Sequence, residues 1–452
     1  MSEELIAKIY NTFNPYPLTL TEEDKALYVK CGEVRGDENI INQLGRRIVN
    51  SDTNTYQLYV GHRGAGKTTE LYRLRNYLEK NGCFVVYFEA DLDVDINDVQ
   101  YTDILLACTR YILEELKDYS KPDNLLGWLR NRWNSLKDLA LSEINIEKLS
   151  LDLQIPLFGK LTTTLKGVPS SRKIIRQQVD IHMSSLIDSL NQFIQEGKKN
   201  LPDGKTKIVV IADNLDRIPP TTLHGKDGVT NHDEIFIDRS TLLQQIDCHI
   251  VYTIPISLVH SSRANQIADV YFFEPEILPM IKVRERNGDR YDPGVNKLKE
   301  MITKRVYKFD LAVDLNLERD IFENSDILLR LCESTGGQVR ELIRFVQTTL
   351  NWIDELPIST KSVQRILSQS RNTYRNSVDH KDWEKLVKVS QTKKIVNEQD
   401  YRDLLFIRCI LEYAELTLDG EIEKWYDVHP LLQETEEFQQ ALEKFKNNVS
   451  TI

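Results

Sequence analysis

The chain has 452 residues, and its 69 Asp and Glu outnumber its 58 Lys and Arg, which gives a formal net charge of −11. Apolar residues make up 41% and charged residues 28%, a composition that excludes collagen-like, fibrous and wholly disordered chains and predicts a buried core. The acidic balance argues against a general nucleic-acid coat, and every apolar run is shorter than the roughly 18 residues of a membrane span.

The first 54 residues are predicted to form a polar, Pro-containing segment that ends in a short amphipathic helix at Asn39–Ile48. The N-terminus starts with acidic residues and lacks the basic-then-apolar layout of a secretory signal, so we expect a cytoplasmic protein. The six cysteines stand singly, without a second Cys or a His at metal-ligand spacing. This spacing predicts reduced, mostly buried thiols.

From Tyr56 onward the chain alternates short apolar runs with helical stretches. Continuous apolar runs are typical of parallel strands that helices cover on both faces. The sequence therefore predicts an α/β core over residues 55–290, with an inserted helical segment at 121–172. The predicted strands are Tyr56–Val60, Phe84–Ala90, Lys207–Ala212, His249–Ile256 and Val270–Pro275.

The first predicted strand runs into the string GHRGAGKT, which fits the phosphate-binding pattern G-x-x-x-x-G-K-[ST]. The glycines allow dihedrals with positive φ that bring backbone N–H groups close to phosphate oxygens. Lys67 would supply a positive charge to the β- and γ-phosphates, and the Thr68 hydroxyl would bind Mg²⁺. The residues assigned to nucleotide binding here are Gly61, His62, Arg63, Gly64, Ala65, Gly66, Lys67, Thr68 and Thr69.

The alternative interpretation of this string is a chance glycine-rich turn. The apolar strand before it and the helical stripe of Leu71, Leu74 and Leu78 after it argue against that alternative, because a phosphate-binding loop requires a strand–loop–helix context. The N-terminus of the following helix would direct its positive end at the same phosphates.

A second motif, KIVVIADNLDR, ends the third predicted strand. Magnesium bound to phosphates is held by a carboxylate at the end of a neighbouring buried strand, and Asp213 would supply that metal ligand, directly or through water. Asp216, three residues on, could polarise the attacking water as a general base. The competing interpretation makes Asp216 one half of a surface ion pair with Arg217.

After about residue 293 the strands stop and helical periodicity predicts a lid over residues 291–375. Residues 376–452 are predicted to hold helices, two strands at Leu404–Ala414 and Lys424–Leu432 joined through Leu418, Asp419 and Gly420, and a C-terminal tail. This order suits a winged helix. The predicted fold class is therefore α/β, with a parallel P-loop core, a helical lid and a C-terminal winged helix-like domain.

The two motifs together resemble those of the additional-strand P-loop ATPases of the AAA+ and STAND classes, in an origin-recognition-like or KAP-like arrangement. The resemblance covers most of the chain, because further family features follow in the same order. Many AAA+ proteins carry Asp-Glu at this strand end and use the Glu as base. This chain has Asn214 there, and its DNLDR string looks like the Asp-x-x-Asp-Arg variant of KAP and some STAND ATPases.

The resemblance implies roles for further residues. Thr253 stands where the sensor-1 residue contacts the γ-phosphate or the attacking water, although a threonine in a strand can also be a packing choice. Arg340 lies in the string TGGQVRELIRF, which resembles a sensor-2 helix opened by a Gly-Gly turn, and stands where the sensor-2 arginine reaches the nucleotide. The alternative is a helix-surface arginine that pairs with a nearby glutamate. Val34 and Arg35 lie in the segment that passes the adenine. The resemblance also puts Arg217, Arg239 and Arg263 in the part of the core that holds arginine fingers.

These features predict an enzyme that binds ATP with Mg²⁺ and hydrolyses it slowly or on stimulation by a partner. As a molecular switch it would control a homo-oligomer or a separately encoded effector protein, and by analogy it would act in prokaryotic defence. The first alternative is a non-hydrolysing nucleotide-binding scaffold, to which Asn214 points. The second is a DNA-associated loader or regulator, which the net charge and the balanced charges of the winged region disfavour.

Overall fold

The computed structural model describes residues 3–36, 39–140, 151–202, 204–223, 225, 228–308, 316–395 and 398–449. Residues 141–150 of the predicted insertion and the end of the predicted tail lie outside these ranges. The chain forms two compact units: unit 1 consists of Met1–Asn39, Gly61–Tyr72 and Ile277–Ile452, and unit 2 consists of Ile40–Val60 and Arg73–Glu276.

Helices make up most of the described chain. Their bounds in chain order are α1 (Glu3–Thr12), α2 (Glu22–Leu27), α3 (Arg46–Asn50), α4 (Lys67–Lys80), α5 (Tyr101–Leu116), α6 (Asp123–Ala140), α7 (Leu151–Gly167), α8 (Pro169–Ile181), α9 (Met183–Lys199), α10 (Asn231–Asp233), α11 (Ser240–Leu243), α12 (Ile256–Val259), α13 (Ala264–Tyr271), α14 (Asp292–Val306), α15 (Ser325–Ser334), α16 (Val339–Leu350), α17 (Thr360–Asn376), α18 (Trp383–Thr392), α19 (Arg402–Phe406), α20 (Pro430–Gln433) and α21 (Glu436–Val449). No helix in the described ranges is both long enough and apolar enough to cross a membrane.

Five strands form the central sheet: β1 (Tyr56–Gly61), β2 (Cys83–Glu89), β3 (Lys207–Asp213), β4 (His249–Thr253) and β5 (Glu276–Leu278). Their order across the sheet is β2-β3-β4-β1-β5, and β2 with β3, β3 with β4, and β4 with β1 pair in parallel. The strand β4 therefore lies between β1, which leads into the glycine-rich loop, and β3, which ends at Asp213. This strand order and the parallel pairing confirm the predicted α/β fold class.

The register of the sheet places polar residues from two strands at one edge. Tyr59 pairs with Thr253, and Ala212 pairs with Tyr252, so Asp213 and Thr253 end neighbouring strands at the same level. Both side chains are fully buried. Parallel strands bring their carboxyl ends to one edge of a sheet, which is where α/β proteins bind ligands.

The predicted fifth strand, Val270–Pro275, is wrong. Its first two residues end α13, in which Ile267 and Tyr271 are buried four residues apart on one helix face. Phe272 then takes a left-handed conformation, with φ of 61°, and its side chain is exposed. The strand begins only at Glu276. A short aromatic run satisfies helix and strand patterns alike, and the sequence pattern did not separate them.

The first 54 residues contain more regular structure than the polar composition predicted. The helix α1 buries Ile6 and Ile9, and α2 follows it. The predicted helix at Asn39–Ile48 is present as a π-helical turn, Ile41–Gly45, that continues into α3. All six cysteines are free thiols and buried, as their single spacing predicted.

Unit 1 contains the helices α14 to α17, in the range for which a lid was predicted, and a C-terminal antiparallel hairpin of β6 (Ile410–Leu416) and β7 (Ile422–Val428). The first strand of this hairpin starts six residues later than predicted. Residues Leu404–Phe406 belong to α19, and Arg408 then turns the chain with a φ of 67°. The predicted turn through Gly420, with φ of 82°, is confirmed.

His249 gives unit 2 a pH-dependent stability. The ring is buried at the start of β4, and its Nδ1 accepts hydrogen bonds from the Thr55 N–H at 3.1 Å and the Thr55 hydroxyl at 3.0 Å. Burial, together with the charges of Lys207 and Lys198, lowers the pKa of His249 to about 4. In the unfolded chain its pKa is about 6.5. Between these values the unfolded chain binds the extra proton, so the free energy of unfolding falls as the pH falls.

We therefore expect the wild-type chain to lose about 2 kcal/mol of stability from this group between pH 7.5 and 4.5. The measurement is urea unfolding of wild type and His249→Asn at both pH values, because asparagine keeps an acceptor for Thr55 but does not titrate. The variant should lose less stability on acidification than wild type. The exposed His380, replaced by asparagine, serves as the control and should behave like wild type. Equal losses in all three proteins would contradict the assignment.

Candidate functional site

The glycine-rich loop connects β1 to α4 and has the backbone conformation that the motif predicted. The φ angles of Gly61, Gly64 and Gly66 are 152°, 84° and 108°. A Cβ on Gly64 would lie 2.9 Å from Oε1 of Gln338, so a side chain there would collide with the start of α16. A Cβ on Gly66 would meet nothing within 4 Å. The loop is therefore tightly covered at Gly64 and open at Gly66.

Lys67 is the first residue of α4 and is only 5% exposed. Its Nζ donates hydrogen bonds to the carbonyl oxygens of Gly61 at 2.7 Å and His62 at 3.0 Å. The loop thus surrounds the Lys67 ammonium group, which lies at the N-terminus of α4, a helix of 14 residues. A positive charge, a helix N-terminus and an open glycine fit the phosphates of a nucleotide. The hydroxyl of Thr68, the next residue, fits a Mg²⁺ ligand.

Arg35 positions this loop from the outside. Its buried guanidinium donates from Nη1 to the Pro279 carbonyl and from Nη2 to the Ala65 carbonyl, each at 2.7 Å. The neighbouring Val34 is also buried, and its carbonyl accepts from the N–H of Lys282 at 3.0 Å. The sequence placed Val34 and Arg35 beside the adenine. In the structure the contacts of the Arg35 guanidinium are with main-chain carbonyls, one of which belongs to the phosphate-binding loop.

The helix that carries Arg340 also contacts the loop. It follows Gly336 and Gly337, whose φ angles are 57° and 84°, as the predicted Gly-Gly turn requires. Arg340 lies in the first turn of α16, and its backbone N–H donates to the Gly64 carbonyl at 3.1 Å. The structure thus brings Arg340 to the loop through its main chain. A contact of its side chain with nucleotide remains a prediction.

Two loop residues, His62 and Arg63, contact the C-terminal part of unit 1, which the sequence did not predict. Nε2 of the buried His62 accepts a hydrogen bond from the backbone N–H of Glu412, in β6, at 3.0 Å. The Arg63 guanidinium lies 4.3 Å from the ring centroid of Phe406, at the end of α19. Neither partner carries a motif, and the Glu412 contact uses only its main chain. No sequence signal was available for them.

The other predicted site residues, Asp213, Asp216 and Thr253, belong to unit 2. Asp213 accepts from the Tyr87 hydroxyl at 2.9 Å and from the backbone N–H of Asn214 at 2.6 Å. Asn214 is left-handed, with φ of 67°, a conformation that asparagine tolerates better than glutamate. Its Nδ2 donates to Glu89 at 3.0 Å and Asp91 at 2.8 Å. Asn214, which follows β3, therefore binds two carboxylates at and just beyond the end of β2, at the position where the AAA+ pattern has a catalytic glutamate.

Thr253 holds the turn that carries Asp216. Its hydroxyl donates to the Ala212 carbonyl at 3.3 Å and accepts from the Leu215 N–H at 3.0 Å. Asp216 follows in a short 3-10 turn, Leu215–Arg217, and is buried. A hydroxyl has a single proton to donate, and Thr253 donates it to the Ala212 carbonyl. In this arrangement the Thr253 side chain holds the turn in position.

The three arginines predicted as finger candidates all have partners within unit 2. Arg217 donates to Asp91 at 2.5 Å, and Arg263 donates to Asp238 at 2.6 Å. The Arg239 guanidinium lies 5.0 Å from the ring centroid of Tyr101. The geometry does not single out one of the three.

No family model and no curated protein matches the chain. Among solved structures it is similar to the Orc1 protein of Aeropyrum pernix in complex with DNA, at 10% identity and a TM-score of 0.36, over 94% of this chain and 97% of that one. It is similar to Cdc6p from Pyrobaculum aerophilum at 11% identity and a TM-score of 0.38, over 96% and 98% of the two chains. A Walker-type ATPase of Pyrococcus abyssi shares 14% identity with a TM-score of 0.39, over 96% and 99%.

These names belong to the class of protein that the two sequence motifs resemble. The identities and TM-scores are low, so nothing about activity, DNA or assembly passes from these proteins to this chain.

Proposed function

We propose that this protein is a nucleotide-dependent switch of the AAA+/STAND type that binds ATP with Mg²⁺ and hydrolyses it slowly or on stimulation by a partner. The observation that carries the proposal is the loop built around the Lys67 ammonium, with positive φ at its three glycines and a helix N-terminus behind it. That combination binds phosphates in general, and the sequence contains no guanine-reading motif, which favours ATP.

In this proposal the residues at the sheet edge supply the metal and water chemistry. Thr68 and Asp213 would hold Mg²⁺, and Asp216 would act as general base on the attacking water. Thr253 would position Asp216 through the turn described above, and Arg340 would stabilise the phosphates. Val34 and Arg35 would border the nucleotide, with Arg35 acting through the Ala65 carbonyl.

The proposed domains follow the sequence prediction: an N-terminal segment (1–54), a P-loop core (55–290), a lid (291–375) and a winged helix-like domain (376–452). The tip of the C-terminal hairpin exposes three apolar side chains, Leu416, Leu418 and Ile422. An apolar tip suits a protein partner better than the phosphates of DNA. We therefore propose a homo-oligomer or a separate effector protein as the partner, in the cytoplasm, with a role in defence as the working hypothesis.

The general-base assignment is tested by replacing Asp216 with asparagine. We expect ATP turnover in the presence of Mg²⁺ to fall at least about a hundredfold, because loss of a general base commonly costs that much. The affinity for ATP should change less than about threefold, because the carboxylate is assigned to the water and not to the phosphates. Turnover and equilibrium binding are measured on the same preparations, and mass photometry with and without ATP reports assembly.

The matched control is Asp188→Asn, which removes an exposed carboxylate from α9 in the same unit. Its turnover should equal that of wild type. Tight ATP binding by the wild-type chain without any turnover, even at high protein concentration, would overturn the hydrolytic part and favour the scaffold alternative. Undiminished turnover in Asp216→Asn would assign the base to another residue.

A further inference from the structure

A cavity of about 420 Å³ lies within unit 1, beside the phosphate-binding loop. Its charged lining consists mainly of four arginines, namely Arg63, Arg340, Arg344 and Arg408. Gly66, Lys67 and Thr68 do not line it, so the cavity lies beside the position proposed for the nucleotide phosphates and has only Arg63 and Arg340 in common with the residues assigned to the nucleotide.

The charge of the cavity is opposite to that of the whole chain, which is −11. The single carboxylate in the lining belongs to Glu341, and its side chain is turned into the interior. There it accepts a hydrogen bond from Nε2 of the buried His429 at 3.0 Å. The ring of His429 accepts from the Leu431 N–H through Nδ1 at 3.3 Å, so both of its ring nitrogens have partners within unit 1. The Arg344 guanidinium donates to the same carboxylate at 3.4 Å. The lining therefore holds four guanidinium groups and a single carboxylate that is already engaged.

Two of the arginines are held in place by neutral partners. Arg408 is half-buried, and its Nη1 donates to Oε1 of Gln338 at 3.2 Å. Within the described ranges Arg408 forms no ion pair with a carboxylate. The Arg63 guanidinium is oriented by its contact with Phe406. As a half-buried cation without a carboxylate, Arg408 has lost part of its hydration and gains from an anion that enters the cavity.

Gln338 provides a further donor. It is 2% exposed and lines the cavity, and its Oε1 is used by Arg408. The Gln338 amide interacts with the Tyr374 hydroxyl, but its Nε2 makes no hydrogen bond of normal length and angle with any residue that the structure describes. A buried amide N–H group without an acceptor costs free energy, which an acceptor oxygen in the cavity would recover.

We propose that this cavity binds a small, multiply charged phosphate ligand, either an inorganic polyphosphate or the phosphate chain of a nucleotide, at a site distinct from the phosphate-binding loop. Planar guanidinium groups match phosphate oxygens in pairs, and several of them together discriminate a polyphosphate from a single charge. The lining contains two aromatic rings, and each already has a stacking partner: Tyr374 stacks on His429, and Phe406 stacks on the Arg63 guanidinium. Recognition therefore rests on the phosphates.

Occupation of the cavity would also act on the neighbouring loop. Arg63 precedes Gly64 in the chain, and the backbone N–H of Arg340 donates to the Gly64 carbonyl. A ligand that binds both arginines changes the affinity of the loop for ATP. By the reciprocity of coupled binding, ATP changes the affinity of the cavity for that ligand by the same factor. This coupling rests on the proposed function, whereas the binding of phosphate in the cavity does not.

The test is calorimetric titration of the full chain carrying Lys67→Ala with inorganic tripolyphosphate, so that the loop's own charge does not contribute. Adding Arg408→Asn should weaken binding about tenfold or more, because a charged donor is lost. Asparagine is chosen because it tolerates the φ of 67° at this position. Adding Arg344→Ala, at a side chain that is 51% exposed and pairs with Glu341 at 3.4 Å, should weaken binding in the same direction.

Arg365→Ala is the matched control, because Arg365 lies on the lining helix α17 but stacks on Trp352 outside the cavity. Its affinity should be unchanged. ADP that binds like tripolyphosphate assigns the ligand to nucleotides, whereas weak binding of ADP assigns it to inorganic polyphosphate. No binding of tripolyphosphate to the Lys67→Ala chain, binding that neither arginine variant weakens, or binding of a short DNA duplex alone would each overturn the proposal. Retained tripolyphosphate binding in the Lys67→Ala chain, together with a wild-type chain that fails to bind ATP, would contradict the proposed function only.

Discussion

Replacing Lys67 with alanine is expected to weaken the binding of Mg²⁺-bound ATP by a factor of about 100 or more. The ammonium is the one side-chain charge that the loop itself encloses, between the carbonyls of Gly61 and His62. Each charged hydrogen bond to a phosphate contributes about 1.5–3 kcal/mol, and Lys67 is assigned to two phosphates. A loss of about 3 kcal/mol corresponds to a factor of about 150 in the dissociation constant.

The measurement is a direct titration of wild type and variant with ATP in the presence of Mg²⁺. Lys80→Ala is the matched control, because it removes an exposed lysine from the other end of α4 and should bind like wild type. Circular dichroism and thermal unfolding establish that Lys67→Ala is folded. If the folded variant bound ATP as tightly as wild type, the glycine-rich loop would not be the nucleotide site.

Replacing Gly337 with alanine is expected to destabilise unit 1 by about 3–5 kcal/mol, because a buried clash adds to backbone strain. A Cβ at this position would lie 1.8 Å from the carbonyl oxygen of Ile281 and 2.7 Å from its carbonyl carbon. These are main-chain atoms, which do not rotate away as a side chain would. The φ of 84° adds a strain of about 1–2 kcal/mol for any residue with a Cβ.

Gly420→Ala separates the two causes of this effect. Gly420 also has a positive φ, of 82°, but a Cβ there would meet nothing within 4 Å. Urea unfolding should therefore show a loss of about 1–2 kcal/mol for Gly420→Ala, the strain alone, and a clearly larger loss for Gly337→Ala. Equal losses in the two variants would show that the close approach at Ile281 is relieved by a backbone shift.

The sequence was sufficient to predict those structural features that are determined by residues close together in the chain. The loop glycines, the buried strand before Asp213 and the Gly-Gly turn before α16 each follow from a local pattern, and the structure contains all three. The predicted fifth strand is wrong because Tyr271 is the last residue of α13 and Phe272 caps that helix. A run of six residues holds too little periodicity to decide between helix and strand.

The contacts that hold the candidate site were not predictable, because most of them end on main-chain atoms far away in sequence. Arg35 binds the carbonyls of Ala65 and Pro279, which are 30 and 244 residues away. Thr253 was singled out as a polar residue at a strand end, but its hydroxyl is used by the Ala212 carbonyl and the Leu215 N–H. A main-chain N–H or carbonyl is present in almost every residue, so composition and motif spacing do not reveal which residue supplies it.

The hydrogen bond between His62 and Glu412 constrains its two positions unequally over evolution. Position 62 must present a ring nitrogen, whereas position 412 contributes a main-chain N–H that every residue except proline carries. Exchange of the residue at 412 therefore keeps the bond and calls for no compensating exchange at 62. Covariation among homologous sequences would therefore not detect this contact, although it joins residues 350 positions apart. Its one evolutionary signature would be the avoidance of proline at position 412.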